Sequence, residues 1–206
     1  MPDYFAHLQF PRRPWIDSDS LKEKFLALSA TAHPDRLHSA SEAERNAANQ
    51  RSAEINAAYH CLREPKDRLR HLLEIESETR PVEIERLPSS AADLAFQVGQ
   101  ICRNVDAFLR EKSKVTAPLL QSQYFEKALE WVDQLQALKQ SIRAKREEVA
   151  DELKAMNPVW EGAPPVGTGE RRRVLPLDRL EQVYRTLSYL SRWDEQLGAR
   201  IVRLSV

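Results

Sequence analysis

One apolar stripe limits the fold more than any other feature of this chain. Phe125, Ala128, Val132, Leu135, Ile142, Val149, Leu153 and Met156 recur at near-heptad spacing. The stripe persists for about nine helical turns. A strand would need an alternating pattern, and none is present. A helix of that length must lay its stripe against others, as in a bundle or antiparallel coiled coil. Two further stripes are available. One is Leu94, Val98, Ile101, Val105 and Phe108; the other is Leu180, Val183, Leu187, Leu190, Leu197 and Ile201. Asn157-Pro158 stops the long helix in this reading. The Pro- and Gly-rich residues 157–176, with Arg171, Arg172 and Arg173 near their end, read as an exposed connector.

The N-terminal third is built of shorter pieces. Tyr4, Phe5 and Leu8 mark a short helix, with Asp3 as its N-cap or a first-turn acid. Pro11 and Pro14 punctuate a connector. Leu21, Phe25 and Leu28 form the inner face of the next helix, which Asp17 or Ser18 caps. A second helix carries Ala47, Ile55, Ala58, Tyr59 and Leu62. It opens on the capping-box pattern Ser41-Glu42-Ala43-Glu44 and breaks at Pro65. A short helix with Leu69, Leu72 and Leu73 follows. Residues 77–90, with Pro81, Pro88, Ser89 and Ser90, read as a linker. The expected organisation is therefore all-α. It comprises an N-terminal helical-hairpin domain over 1–76, a linker over 77–90, and a three-helix bundle of long antiparallel helices over 91–206, interrupted by the 157–176 loop.

Composition narrows the function classes. The 31 basic and 31 acidic residues balance, so no global field favours nucleic acid or an anionic membrane. No stretch approaches the ~20 apolar residues of a membrane span. The first residues lack a basic stretch followed by an apolar core, which predicts no secretory signal. Cys61 and Cys102 stand far apart and form no CxxC pair, so a reducing compartment and a cytoplasmic protein are expected. Neither a phosphate-cradling glycine loop, a nucleophile elbow nor a zinc-binding HExxH helix is present. The arginine triplet is read as solvated surface in preference to a phosphate contact. The four tryptophans are read as packing anchors.

The connector between the first two long helices holds His33, Pro34, Asp35 and Arg36. The residues themselves allow three readings. His33 with Asp35 can be an acid–base pair, though no nucleophile stands near. With His38 the set can be a metal site, though the spacing fits no standard zinc pattern. Or Pro34 and Asp35 turn an αα-hairpin, the reading that spacing alone favours.

Taken together, Tyr4-Phe5 with Leu8, the helix from Leu21, His33-Pro34-Asp35-Arg36, and Ile55-Asn56-Ala57-Ala58-Tyr59 with Leu62 resemble a J-domain. The resemblance runs over roughly the first 75 residues, to Arg68 and Leu72. It implies a co-chaperone of a DnaK-type ATPase, with no enzymatic activity, cofactor or metal of its own. His33, Pro34, Asp35 and Arg36 would contact the chaperone, helped by Lys22 and Lys24 as the available basic residues of the preceding helix. The chain has Thr31-Ala32 where the family commonly has a basic and an aromatic residue. The whole chain, a J-domain followed by a helical bundle with no Gly/Phe-rich or zinc module between them, is similar to the HscB-like iron–sulfur assembly co-chaperones. That likeness implies an HscA-type chaperone and an IscU-type scaffold as partners. The client patch would be Leu94, Phe96 and Val98, with Tyr189 and Trp193 from the last helix. Gln100 and Arg103 stand where the family has carboxylates. The resemblance also leaves room for a J-domain adaptor with a different client, or a structural helical interaction protein.

Overall fold

The computed structural model describes residues 2–32, 41–77 and 91–205, and among them every regular element is helical. The all-α expectation holds. The helices are α1 (Tyr4–His7), α2 (Ser18–Ala32), α3 (Glu42–Arg63), α4 (Pro65–Ser77), α5 (Ala92–Lys112), α6 (Pro118–Glu161), α7 (Gly169–Val174) and α8 (Leu177–Leu204). They group into two compact units. Unit 1 comprises residues 1–83 with 150–184, and unit 2 comprises 84–149 with 185–206. This contact-based grouping does not follow chain order: α6 and α8 each contribute residues to both units.

In unit 1, α3 packs against α1, α2 and α4. Local chemistry sets where each helix begins. The Asp3 carboxylate accepts from the N–H groups of Phe5 and Ala6 at 3.0 and 3.3 Å. Asp17 accepts from the Ser20 N–H at 2.8 Å. Ser41 and Glu44 form the reciprocal capping box. Phe5, Leu8, Leu21, Leu62, Leu69 and Leu72 are sealed from solvent. Of the expected α2 face, Leu21 is core while Phe25 and Leu28 are half-buried; Ala47 of α3 is exposed. The polar first half of α3 has no apolar stripe to bury.

The proline stop expected at residue 158 is a correction. Helix α6 runs through Pro158 to Glu161. Proline lacks the N–H that would bond the Lys154 carbonyl, and it disfavours helical geometry at Asn157. Asn157 offsets this: its Oδ1 accepts from the Trp15 N–H and its Nδ2 donates to the Trp15 carbonyl, both at 3.0 Å. Residues 157–176 are likewise not loop alone. They hold the last turn of α6 and the whole of α7. Between them lies a turn in which the Thr168 N–H bonds the Pro165 carbonyl at 3.3 Å. Gly167 takes φ +87° there, a conformation that disfavours a Cβ.

Unit 2 is three helices: α5, α6 as far as Val149, and α8 from Arg185. Its core is the periodic apolar set read from the sequence, including Val98, Val105, Phe108, Leu135, Ile142, Val149, Leu190 and Leu197. Phe125 is a correction: it lies 59% exposed near the start of α6. The core stripe begins in earnest at Ala128.

Candidate functional site

The candidate chaperone-contact site lies at the α2–α3 hairpin. The Phe25 and Tyr59 rings stack with centroids 4.1 Å apart and planes 17° from parallel. Leu21 and Ala32 of α2 and Ile55, Ala58 and Leu62 of α3 are buried on the same two helices. Such a ring pair contributes about 0.5–1.5 kcal/mol beyond its buried area. It fixes the register of the two helices that flank the connector. His33, Pro34, Asp35 and Arg36 themselves lie outside the described residues. Lys22 and Lys24 are on α2. They stand two positions apart, so they do not share a helix face. Lys22 is exposed and Lys24 half-buried. Two separated cations are present there, not one continuous basic stripe.

The candidate client residues divide in the same way. On α5, Leu94 and Val98 are four apart and turn inward together; Leu94 is half-buried and Val98 2% exposed. Phe96 points elsewhere and is 67% exposed. On α8, Tyr189 and Trp193 meet at 5.6 Å between ring centroids, with the Arg192 guanidinium 5.8 Å from the Tyr189 ring. Trp193 is buried and Tyr189 half-buried. Among the described residues Phe96 makes no aromatic contact. Of the five, Phe96 is the one that shows a large apolar surface to solvent.

Sequence reasoning passed over two sets of residues. The first is the buried polar ties of unit 1. Arg171, the first of the arginine triplet, is buried. Its Nε donates to Glu76 at 2.9 and 3.1 Å, its Nη2 to Glu76 at 2.8 Å and its Nη1 to the Pro164 carbonyl at 2.9 Å. Arg12 reaches Glu76 at 3.6 Å and Asp3 at 2.9 Å. Arg68 donates to the carbonyls of Pro14 and Leu62 at 2.9 and 2.8 Å; burial lowers its pKa to about 10. The His71 Nε2 accepts from the Tyr4 N–H at 3.1 Å. Burial lowers the His71 pKa, which keeps that nitrogen free to accept. No local pattern separates Arg171 from Arg172 and Arg173, since its partner is 95 residues earlier. The second set is Gln97 and Asn104 on α5, which share a flank with Gln100. They fall at helical spacing, and that spacing was legible.

Nothing in these arrangements is set up for covalent chemistry. The Cys61 thiol is pushed up to about 11, first by burial and then by Asp67, so it is a poor nucleophile. No cluster of three His, Cys, Asp or Glu side chains suited to a metal exists among the described residues. No described helix is long and apolar enough to cross a membrane.

No protein-family model matches the chain. Curated relatives do. A co-chaperone protein HscB homolog of Bordetella petrii is 38% identical over 99 residues, which is 48% of this chain and 56% of that protein. The homolog of Bordetella avium is 43% identical over 72 residues, 35% of this chain and 43% of its own length. Among solved structures, the chaperone HscB from Vibrio cholerae superposes with a TM-score of 0.63 over 98% of this chain and 99% of its own, at 18% identity. The chain is HscB-like. Human co-chaperone protein HscB gives a TM-score of 0.61 over 97% of this chain and 82% of its own, at 17% identity. At those identities the structural likeness speaks for the fold. The HscB-like chain spans about half the length of the curated relatives it matches in sequence.

Proposed function

We propose that this HscB-like chain is a co-chaperone that stimulates ATP hydrolysis by a DnaK/HscA-type chaperone and delivers a client to it, an IscU-type iron–sulfur scaffold. The observation that carries the reading is the α2–α3 hairpin, locked by the Phe25–Tyr59 stack, which flanks the His33-Pro34-Asp35 connector in a chain whose relatives are HscB co-chaperones. The triad acts by contact. Asp35 supplies a charge-assisted hydrogen bond. Pro34 limits the conformations of the connector and so lowers the ordering cost of docking. His33 adds a shaped polar contact, and Arg36 with Lys22 and Lys24 adds local positive charge. The ATP site belongs to the partner, and the chain is not an enzyme in its own right.

Client binding is assigned to unit 2. Phe96 is its exposed apolar anchor; Leu94 and Tyr189 are half-buried, and Val98 and Trp193 lie in the core. A second reading, a J-domain adaptor for another client, is favoured by one observation: Gln100 and Arg103 stand on α5 where acids were expected.

The test is a single-turnover ATPase assay with a cognate DnaK- or HscA-type chaperone. The wild-type chain is expected to raise the hydrolysis rate, and Asp35→Asn to abolish that rise with unchanged helicity by circular dichroism. A wild-type chain that accelerates no cognate chaperone sinks both readings. Stimulation without scaffold binding at tens of micromolar selects the second.

A further inference from the structure

The first turns of α6, within unit 2, carry an apolar seam that faces solvent. Pro118, Ser122, Phe125 and Leu129 recur at spacings of four, three and four, which puts them on one helix face. All four are exposed. Phe125 and Leu129 keep 59 and 51% of their surface open, and Leu119 on the flank keeps 75%. The inner side of the same turns packs normally: Ala128 is buried, and the Tyr124 ring stacks on Phe108 at 5.4 Å between centroids. The seam is therefore a second face of the helix. Apolar side chains grouped in this way on a surface mark a contact with another molecule.

Charge changes sign along the seam. Glu126, Glu130 and Asp133, all exposed, stand toward its C-terminal end, while Lys127 falls on the far side of the helix. At the other end α6 has no acid in its first turn to meet its positive pole. The connector before it, residues 113–117, carries one charge, the exposed Lys114. A face that is negative at one end and positive at the other is matched by its own copy turned end for end. With a two-fold axis passing between Gln123 and Tyr124, Ser122 comes level with the second copy's Phe125, so the small side chain leaves room for the ring. Pro118 comes level with Leu129, Glu130 with Ala117 at the copy's helix start, and Asp133 with Lys114.

We propose that this face of α6 pairs with the same face of a second copy of the chain, antiparallel, as a short two-stranded coiled coil. The seam from Pro118 to Leu129 is about 17 Å long at 1.5 Å per residue. So short a seam makes a weak dimer, with a dissociation constant on the order of 100 µM. The pairing uses none of the residues assigned to chaperone or client contact.

Sedimentation equilibrium of the full chain between about 10 and 500 µM reads the association, and a monomer–dimer equilibrium is expected. Phe125→Glu puts a charge into the seam and is expected to weaken the dimer at least about tenfold. Its melting temperature in dilute solution should stay unchanged, since the residue is exposed. A short bismaleimide is expected to link Ser122→Cys chains and to leave Lys127→Cys chains unlinked, with the wild-type chain as the control for Cys61. In a mixture of Lys114→Cys and Asp133→Cys chains, the mixed covalent dimer should exceed either homodimer; parallel pairing gives the reverse. A chain that stays monomeric over the whole range, an association that Phe125→Glu leaves intact, equal linking of Lys127→Cys, or an excess of homodimers in the mixture overturns the proposal. A monomeric chain whose Ser122→Cys thiol is shielded from maleimide by an added DnaK/HscA-type chaperone or IscU-type scaffold also overturns it, and gives the face to that protein.

Discussion

Unit 1 buries Arg68, His71, Glu76, Asn157 and Arg171, whereas unit 2, among its described residues, buries Thr186 as its polar member. The ion pairs of unit 2 sit at its surface: Asp106 with Arg200 at 2.6 Å and Arg203 at 3.3 Å, and Lys139 with Asp194 at 3.1 Å. Exposed pairs of this kind contribute about 0–1 kcal/mol each. Unit 2 is therefore held by area, through stripes that face one another wherever three helices pack. Unit 1 has shorter helices and less stripe. It ties segments far apart in sequence by hydrogen bonds that fail if any partner is missing. A periodic core specifies a bundle with little regard to detail, and a polar tie specifies one residue pair.

The sharpest way to break this contrast is Glu76→Leu. It leaves the Arg171 guanidinium buried without its carboxylate, and the expected loss in unit 1 is about 3–5 kcal/mol. Adding Arg171→Met removes the stranded charge and should recover at least half of that loss. Hydrogen exchange at the core amides of α3 and α4 reads both outcomes. A double variant as unstable as the single one shows that the pair is not what ties the segments.

In unit 2 the matching experiment is Leu135→Ala, at a fully buried stripe position. Lost burial plus the cavity predicts about 2–5 kcal/mol, read by the exchange of α6 amides between 128 and 149. A loss under about 1 kcal/mol would mean that unit 2 does not depend on its stripe.

The smallest expected effect is on pH. The folded pKa of His71 lies below its ordinary 6.5, so the unfolded chain binds the extra proton first. Stability contributed by the neutral ring is complete above pH 6.5 and is lost as pH falls from there through the folded pKa. Protonation also removes the acceptor for the Tyr4 N–H. Asp3, which favours the charged ring, and Arg12, Arg70 and His7, which oppose it, face the same group. The melting temperature should fall between pH 7.5 and 5.5, and His71→Gln should flatten that slope. An unchanged slope in the variant removes His71 from the account.

Most of the architecture was readable because caps and stripes are local. Asp3, Asp17 and the Ser41–Glu44 box start helices where the sequence places them, and the apolar sets of α5, α6 and α8 form the unit 2 core. What misled was also local. Pro158 reads as a stop until Asn157 meets Trp15. Phe125 fits the stripe by spacing, yet it lies exposed. For the candidate sites, the His33-Pro34-Asp35 motif was legible as sequence alone. Leu94, Phe96 and Val98 looked alike there, and a difference of two positions on α5 sends Phe96 out and Val98 in.

The sequence by itself determined that the chain is helical, where most helices begin, and which family its first 75 residues resemble. Those properties depend on residues within one or two turns of each other. Only the tertiary structure decided that residues 150–184 pack with the N-terminal helices, that one arginine of three is buried, and that Phe125 lies exposed. A hydrogen bond or ion pair between residues about 95 or 140 positions apart leaves no periodic trace in the chain. It exists once the apolar faces have brought its partners together.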